Sequence, residues 1–132
     1  MFVAVDFDGT MVKHRFPEIG PPVPYAIKWL KIFQAVGIDL ILLTMRSDGQ
    51  TAGNVLTDAI NYCKENEVYF KYCNENPEQL KWTNSNKVYA NYYIDDAAIG
   101  CPLIYEGEGT KYVDWNKVGP EILKKFVESG GV

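Results

Sequence analysis

The chain has 132 residues, enough for one domain around a single core, and its 47% hydrophobic and 23% charged content is ordinary for a globular protein. A net charge of −4 without any lysine- or arginine-rich stripe disfavours nucleic acid or a membrane surface as partner, and no apolar run approaches the ~20 residues that cross a bilayer. The start lacks the pattern of a signal peptide. Three cysteines (Cys63, Cys73 and Cys101), odd in number and without CxxC spacing, read as reduced, mostly buried thiols of a cytoplasmic protein.

Residues 1–10 read MFVAVDFDGT. Phe2-Val3-Ala4-Val5 is an uninterrupted apolar run, the pattern of a strand buried on both faces of a parallel sheet, and it ends at Asp6-Phe7-Asp8-Gly9-Thr10. Asp6 and Asp8 stand two apart where the strand opens into a loop, so their carboxylates can converge at the carboxyl edge of the sheet. Paired carboxylates suit a hard divalent cation such as Mg²⁺, although Asp-x-Asp-Gly would also serve as a plain polar turn.

Four of the seven prolines fall in residues 16–24, which therefore read as a stiff loop. Ile27, Leu30 and Phe33 then predict a helix over residues 25–36, stopped by Gly37. A second buried strand spans residues 39–44 and ends on Thr44, followed by Met45-Arg46-Ser47. Ala52, Val55, Leu56, Ala59, Ile60 and Cys63 repeat at helical spacing, with Ser47, Asp48 or Thr51 available as cap. Residues 68–73 predict a third strand, residues 77–82 a short helix in a polar stretch, and residues 88–94 a strand running into Asp95-Asp96. Residues 103–105 predict a further strand, followed by a turn over residues 106–110. The last helix is expected to open at Pro120, a good first helical residue, and to bury Ile122, Leu123, Phe126 and Val127. Strands alternating with helices imply βαβ units, a mainly parallel sheet and one domain over residues 1–132.

Three strands thus end in chemically useful groups: Asp6/Asp8, Thr44 and Asp95/Asp96. Parallel strands bring these to one edge, and Lys87 precedes Asp95 by eight residues, within reach of that edge. Read singly, Thr44 would equally cap a helix, Lys87 would equally be a solvated surface lysine, and Asp95-Asp96 a strand-terminal turn. Arg46 follows Thr44 by two, and its fork would suit a second anionic group on a substrate. His14, the sole histidine, sits just past the acidic loop as a further candidate substrate contact.

The order DFDGT, apolar strand ending in Thr44, Lys87, apolar strand ending in Asp95-Asp96 resembles the haloacid dehalogenase superfamily of phosphohydrolases, over most of the chain. The DFDGTMVKHRFPEIG opening is similar to small capless members of bacteria and phages. The resemblance implies an α/β, Rossmann-like three-layer sandwich without a cap domain, and a Mg²⁺-dependent phosphatase. In it Asp6 would be the nucleophile that forms an aspartyl-phosphate, and Asp8 the general acid and base. Thr44 would bind the phosphoryl oxygens and Lys87 would neutralise charge. Mg²⁺ would be held by Asp6, the backbone carbonyl of Asp8, and Asp95, with Asp96 as second ligand or outer partner. The gaps at residues 11–24 and 45–86 are too short for a cap, so the site should be open, suited to a small phosphorylated substrate such as a sugar phosphate or covered by a homo-oligomer. Response-regulator receiver domains use similar groups, but their acidic pair follows the first strand and their lysine comes last. A catalytically silent binding protein of the same fold, or a phosphatase of a phosphoprotein or nucleic-acid end, stays open as an alternative.

Overall fold

A computed structural model describes residues 1–49 and 51–131. Phe2–Val5 (β1), Asp39–Leu42 (β2), Tyr72–Cys73 (β3) and Tyr92–Ile94 (β4) form a four-stranded sheet in the order β3-β2-β1-β4, with every pairing parallel. Leu103–Tyr105 (β5) and Lys111–Val113 (β6) form a separate antiparallel hairpin. Three helices complete the α/β fold: Ala26–Val36 (α1), Val55–Glu65 (α2) and Trp115–Glu128 (α3). Among the described residues no helix is long and apolar enough to cross a membrane.

The sheet is legible in its side chains. Val3 and Val5 on β1 and Leu40 and Leu42 on β2 are buried against the inner residues of all three helices, among them Leu30, Phe33, Ala59, Cys63, Ile122 and Phe126. The opposite face presents Ala4 and Ile41, and it is covered by Ala90, Val88 and Tyr72. Right-handed crossovers account for this asymmetry: β1-α1-β2 and β2-α2-β3 progress in one direction and keep their helices on one side, whereas the return from β3 to β4 crosses the other. That return contains a 3-10 turn, Pro77–Lys81, where a short helix was expected over residues 77–82, and no α-helix among the described residues. The turn is held by side chains. Asn76 accepts from Glu78 N–H and donates to the Tyr89 carbonyl, while Gln79 donates to the carbonyls of Ser85 and Lys87.

Several boundaries differ from the sequence expectation for physical reasons. α1 ends at Gly37 as expected, with the glycine in the left-handed conformation. α2 starts at Val55, later than Ala52; of the three candidate caps it is Asp48 that accepts from Leu56 and Thr57 N–H across the intervening loop. The strand expected over residues 68–73 shrinks to Tyr72–Cys73 because the Tyr69 N–H turns aside to the Gln34 side chain. β6 was not anticipated. Pro120 does not open α3 but lies inside it, and the helix starts at Trp115. The buried stripe is consequently Trp115, Val118, Gly119, Ile122 and Phe126, with Leu123 half-buried and Val127 52% exposed. The cysteines form no disulfide; burial pushes the Cys63 thiol up to about 12, which keeps it unreactive.

Gly119 explains how a helix tolerates Pro120. A residue before proline is ordinarily driven from the helical region by its own Cβ, which glycine lacks. Its bare Cα also lets α3 lie on Trp29 of α1, since a Cβ at this position would fall 2.1 Å from Trp29 Cδ2. Gly119→Ala should therefore destabilise by overpacking, about 1–3 kcal/mol, despite the higher helix propensity of alanine. Thermal unfolding monitored by circular dichroism checks this, and a Tm equal to or above that of the wild type would show that the helices can separate freely.

Candidate active site

The register of the sheet sets Val5, Leu42 and Ile94 side by side, so the chain leaves all three strands at one edge. The ladder extends one step beyond: Asp6 N–H donates to the Ile94 carbonyl (3.0 Å) and Leu43 N–H to the Val5 carbonyl (2.9 Å). Asp6, Asp8, Thr44, Asp95 and Asp96 then line an open cavity of about 550 Å³, together with His14, Phe16, Met45, Arg46 and Ala97.

The loop after β1 is a tight turn organised on one carbonyl. Phe7 O accepts from the N–H groups of Thr10, Met11 and Val12, and Gly9 N–H donates to Val12 O. These bonds use the carbonyls of Phe7 and Val12, leaving that of Asp8 to the site. Gly9 adopts φ +84°, and a Cβ there would meet both Asp96 Oδ2 and His14 Nε2 at 2.3 Å. The pair His14 Nε2···Asp96 Oδ2 (2.9 Å) thus rests directly on the glycine of the DxDGT stretch. Thr10, fully buried, joins the two acidic loops: its hydroxyl donates to Asp6 Oδ2 (3.1 Å) and accepts from Asp96 N–H (3.3 Å). Trp115 Nε1 donates to the Thr10 carbonyl (2.7 Å), anchoring the turn to the start of α3.

Asp6, Asp95 and Asp96 each place a carboxylate oxygen within 4.8 Å of the others. Burial first, then the charge of Asp95 and a hydrogen bond shared with Asp96, push Asp6 up to about 8. Burial alone would also raise Asp96. The hydrogen bonds from His14 and Asp6 and the charges of His14 and Lys111 outweigh it and hold Asp96 below the usual carboxylate range. Lys111, on the unanticipated strand β6, reaches Asp96 with Nζ 3.8 Å from Oδ2 and donates to its carbonyl at 3.2 Å. Asp95 accepts from Ala97 N–H (2.8 Å) and is the less encumbered of the two neighbours. The donor set of hard oxygens, with a proton retained where charge is crowded, fits a divalent cation such as Mg²⁺.

Two assignments change at this point. Arg46 is not a fork for substrate. It is 2% exposed, and all five of its N–H groups are used: Nε and Nη2 on the two oxygens of Asp8 (2.8 Å each), Nη1 on the carbonyls of Pro17 and Val55, and Nη2 also on that of Glu18. The guanidinium lies between the rings of Phe7 and Phe16, at 5.0 and 5.2 Å from their centroids. Thr44 does not cap a helix, since α2 begins at Val55; its hydroxyl accepts from Arg46 N–H (3.1 Å), leaving the O–H free to donate into the cavity. Lys87 is not brought to the cavity. The chain beyond the 3-10 turn passes beneath β4, and Lys87 Nζ rests 5.7 Å from the centroid of the Tyr93 ring. Lys111 and Thr10 are the polar residues of this site that the order of sequence motifs missed. Thr10 lay within the motif and was legible; the turn over residues 106–110 was legible too, but the three-residue strand after it that carries Lys111 was not.

The raised Asp6 has a definite consequence for stability. Its folded-state value of about 8 lies above its ordinary 3.8, so between those limits the folded protein keeps a proton that the unfolded chain has lost. The stability conferred by that proton is complete at the acid end and disappears as pH rises through about 8. Asp6→Asn, with no proton to lose, should gain on the wild type over this interval and level off above it, in thermal melts with EDTA present. Parallel curves for the two proteins would show that the carboxyl is not protonated when folded. Arg46→Met should lower stability by about 3 kcal/mol or more in denaturant unfolding, since it strands Asp8 and three backbone carbonyls; Arg46→Lys, lacking the planar fork, should not restore it. A loss below about 0.5 kcal/mol, the range of ordinary surface changes, would mean the network is dispensable.

No protein-family model matches the chain, and none of the curated proteins does. A solved structure of a conserved protein from Bacteroides thetaiotaomicron is similar, with 34% identity covering 95% of this chain and 91% of that one, at a TM-score of 0.74. On that identity and coverage, the chain belongs to the same family as the Bacteroides thetaiotaomicron protein.

Proposed function

We propose that this chain is a Mg²⁺-dependent phosphomonoester hydrolase, a capless core of haloacid dehalogenase type, acting on a small phosphorylated metabolite in the cytoplasm. The observation that carries this reading is the convergence of Asp6, Asp95 and Asp96 within 4.8 Å, beside Thr44, in a cavity at the carboxyl edge of the parallel sheet. Asp6, Asp95, Asp96 and the Asp8 carbonyl would hold Mg²⁺, which when bound supplies the positive charge that these carboxylates lack and shields an incoming phosphate dianion from them.

In the first step an Asp6 carboxylate oxygen forms a bond to phosphorus. The ester P–O bond breaks, and the departing alkoxide takes a proton from Asp8. In the second step water gives a proton to Asp8 and attacks phosphorus. The bond to Asp6 breaks, inorganic phosphate leaves and the carboxylate is regenerated. Thr44 donates its hydroxyl to a phosphoryl oxygen throughout. Arg46 occupies one lone-pair site on each Asp8 oxygen and leaves the other site open to carry the proton taken from water in the second step and given to the next leaving group. The bidentate bond also fixes the direction in which that proton is offered.

A second reading is favoured by one specific observation, the placement of Lys87 on Tyr93 outside the cavity. Without that ammonium the site would bind metal and phosphate and turn over nothing, as in a catalytically silent protein of this fold. Hydrolysis of p-nitrophenyl phosphate with Mg²⁺ or EDTA, by wild type and Asp6→Asn, separates the two. Metal-dependent turnover abolished by Asp6→Asn is expected. Turnover that survives the substitution removes Asp6 as nucleophile, and thermal stabilisation by Mg²⁺ with beryllium fluoride in the absence of turnover favours the silent protein.

A further inference from the structure

The cavity holds more than a phosphoryl site. Its volume of about 550 Å³ lies within the ~300–1,000 Å³ typical of sites for drug-sized ligands, so the leaving group has room inside it. What lines that room is uneven in charge. Four acidic side chains face it, from Asp6, Asp8, Asp95 and Asp96, while the two basic residues of the lining are already engaged: His14 on Asp96, and Arg46 with every N–H committed to protein acceptors. A leaving group that carried a second phosphate or a carboxylate would meet repulsion here and no open fork to offset it.

The apolar part of the lining has a different character. Phe16 is 54% exposed and Met45 98% exposed, although both belong to this one cavity. Phe16 is not a loose surface ring. The Arg46 guanidinium lies against one face at 5.2 Å, and the same guanidinium bonds the carbonyls of Pro17 and Glu18 in the loop that carries the ring. One face is therefore covered and the other is free. Through Arg46 the ring is also tied to Asp8, the residue that would exchange a proton with the leaving group. A held aromatic face with a pliable thioether at the same mouth is the chemistry that receives a flat, uncharged π-system.

We propose that the substrate's leaving group is an uncharged planar aromatic that stacks on the free face of Phe16, with Met45 as an adaptable second wall. This rests on the hydrolase reading above and narrows it away from sugar phosphates. The shared chemistry is a neutral aromatic ring on a phosphomonoester, and two sources supply it: an aryl or arylmethyl phosphate, and a nucleoside 5′-monophosphate.

The test is a comparison of kcat/KM with Mg²⁺ for benzyl phosphate, cyclohexylmethyl phosphate, glycerol 3-phosphate, fructose 1,6-bisphosphate, adenosine 5′-monophosphate and thymidine 5′-monophosphate. Benzyl and cyclohexylmethyl esters release alkoxides of similar basicity and bulk, so their ratio isolates the π face from leaving-group chemistry and from hydrophobic volume. The benzyl ester should exceed the cyclohexylmethyl ester about tenfold, the reach of one good aromatic stack, with the bisphosphate among the poorest. In Phe16→Ala that ratio should fall towards one, and in Phe16→Tyr it should persist. Because each variant supplies its own ratio, a general loss of activity does not disguise the result. The nucleotide arms decide the source: nucleotides above benzyl phosphate point to a nucleoside, and the reverse to an aryl ester. A benzyl to cyclohexylmethyl ratio near one in the wild type, or a ratio that Phe16→Ala leaves intact, overturns the stacking proposal while the hydrolase reading stands. Absence of turnover on every ester overturns both.

Discussion

The bidentate bond between Arg46 and Asp8 is the constraint on which the rest of the site depends. One guanidinium gathers three separate parts of the chain: the acidic turn after β1 with Phe7, the proline-rich loop with Phe16, Pro17 and Glu18, and the start of α2 at Val55. The loop and the helix start present the carbonyls of Pro17, Glu18 and Val55, which burial against Arg46 would otherwise leave unpaired. Arginine meets the need because its donors form a rigid plane; a lysine would neutralise Asp8 and leave the carbonyls unanswered. The cavity is consequently walled by loops that behave as one piece.

On the other side of that piece the acidic cluster is built by register. Parallel pairing of β4 with β1 puts Asp95 level with Asp6, and the buried Thr10 hydroxyl spaces Asp6 from the Asp96 backbone. Charge crowded in this way must be relieved, and the protein relieves it unequally. Asp96 is given His14 and Lys111, while Asp6 keeps a proton. Two neighbouring carboxyls in opposite states are the arrangement expected where a cation is to displace a proton.

The first strand that ends in an acid was legible because its place in the middle of the sheet leaves a continuous apolar run, Phe2-Val3-Ala4-Val5; the edge strand before Asp95 was legible from Tyr92, Tyr93 and Ile94 although Tyr93 is exposed. The helical stripe at Ala59 and Cys63 was legible for the corresponding reason. What could not be read depended on partners far away in sequence. Pro120 looks like a helix start until Gly119 is seen against Trp29. Arg46 looks like a free anion fork until five acceptors from three segments are found around it. Lys87 stands in the expected order, but where its side chain goes is decided by how the chain beyond the 3-10 turn, at Val88 and Ala90, bonds the Tyr93 hydroxyl of β4. The strand β6 is short and pairs only with β5, so it has no pattern of its own.

The Trp115 indole bond to the Thr10 carbonyl, with the Val113 N–H bond to Gly9 O (3.1 Å), has a consequence for how the protein is made. The DFDGT loop leaves the ribosome well before its supports, which are synthesised more than a hundred residues later. During translation β1 can pair with β2, and later with β4, while this loop still lacks its anchor. The geometry that brings the carboxylates together is thus a late event in the life of each nascent chain, and an intermediate halted before residue 113 would carry the sheet without a finished acidic centre.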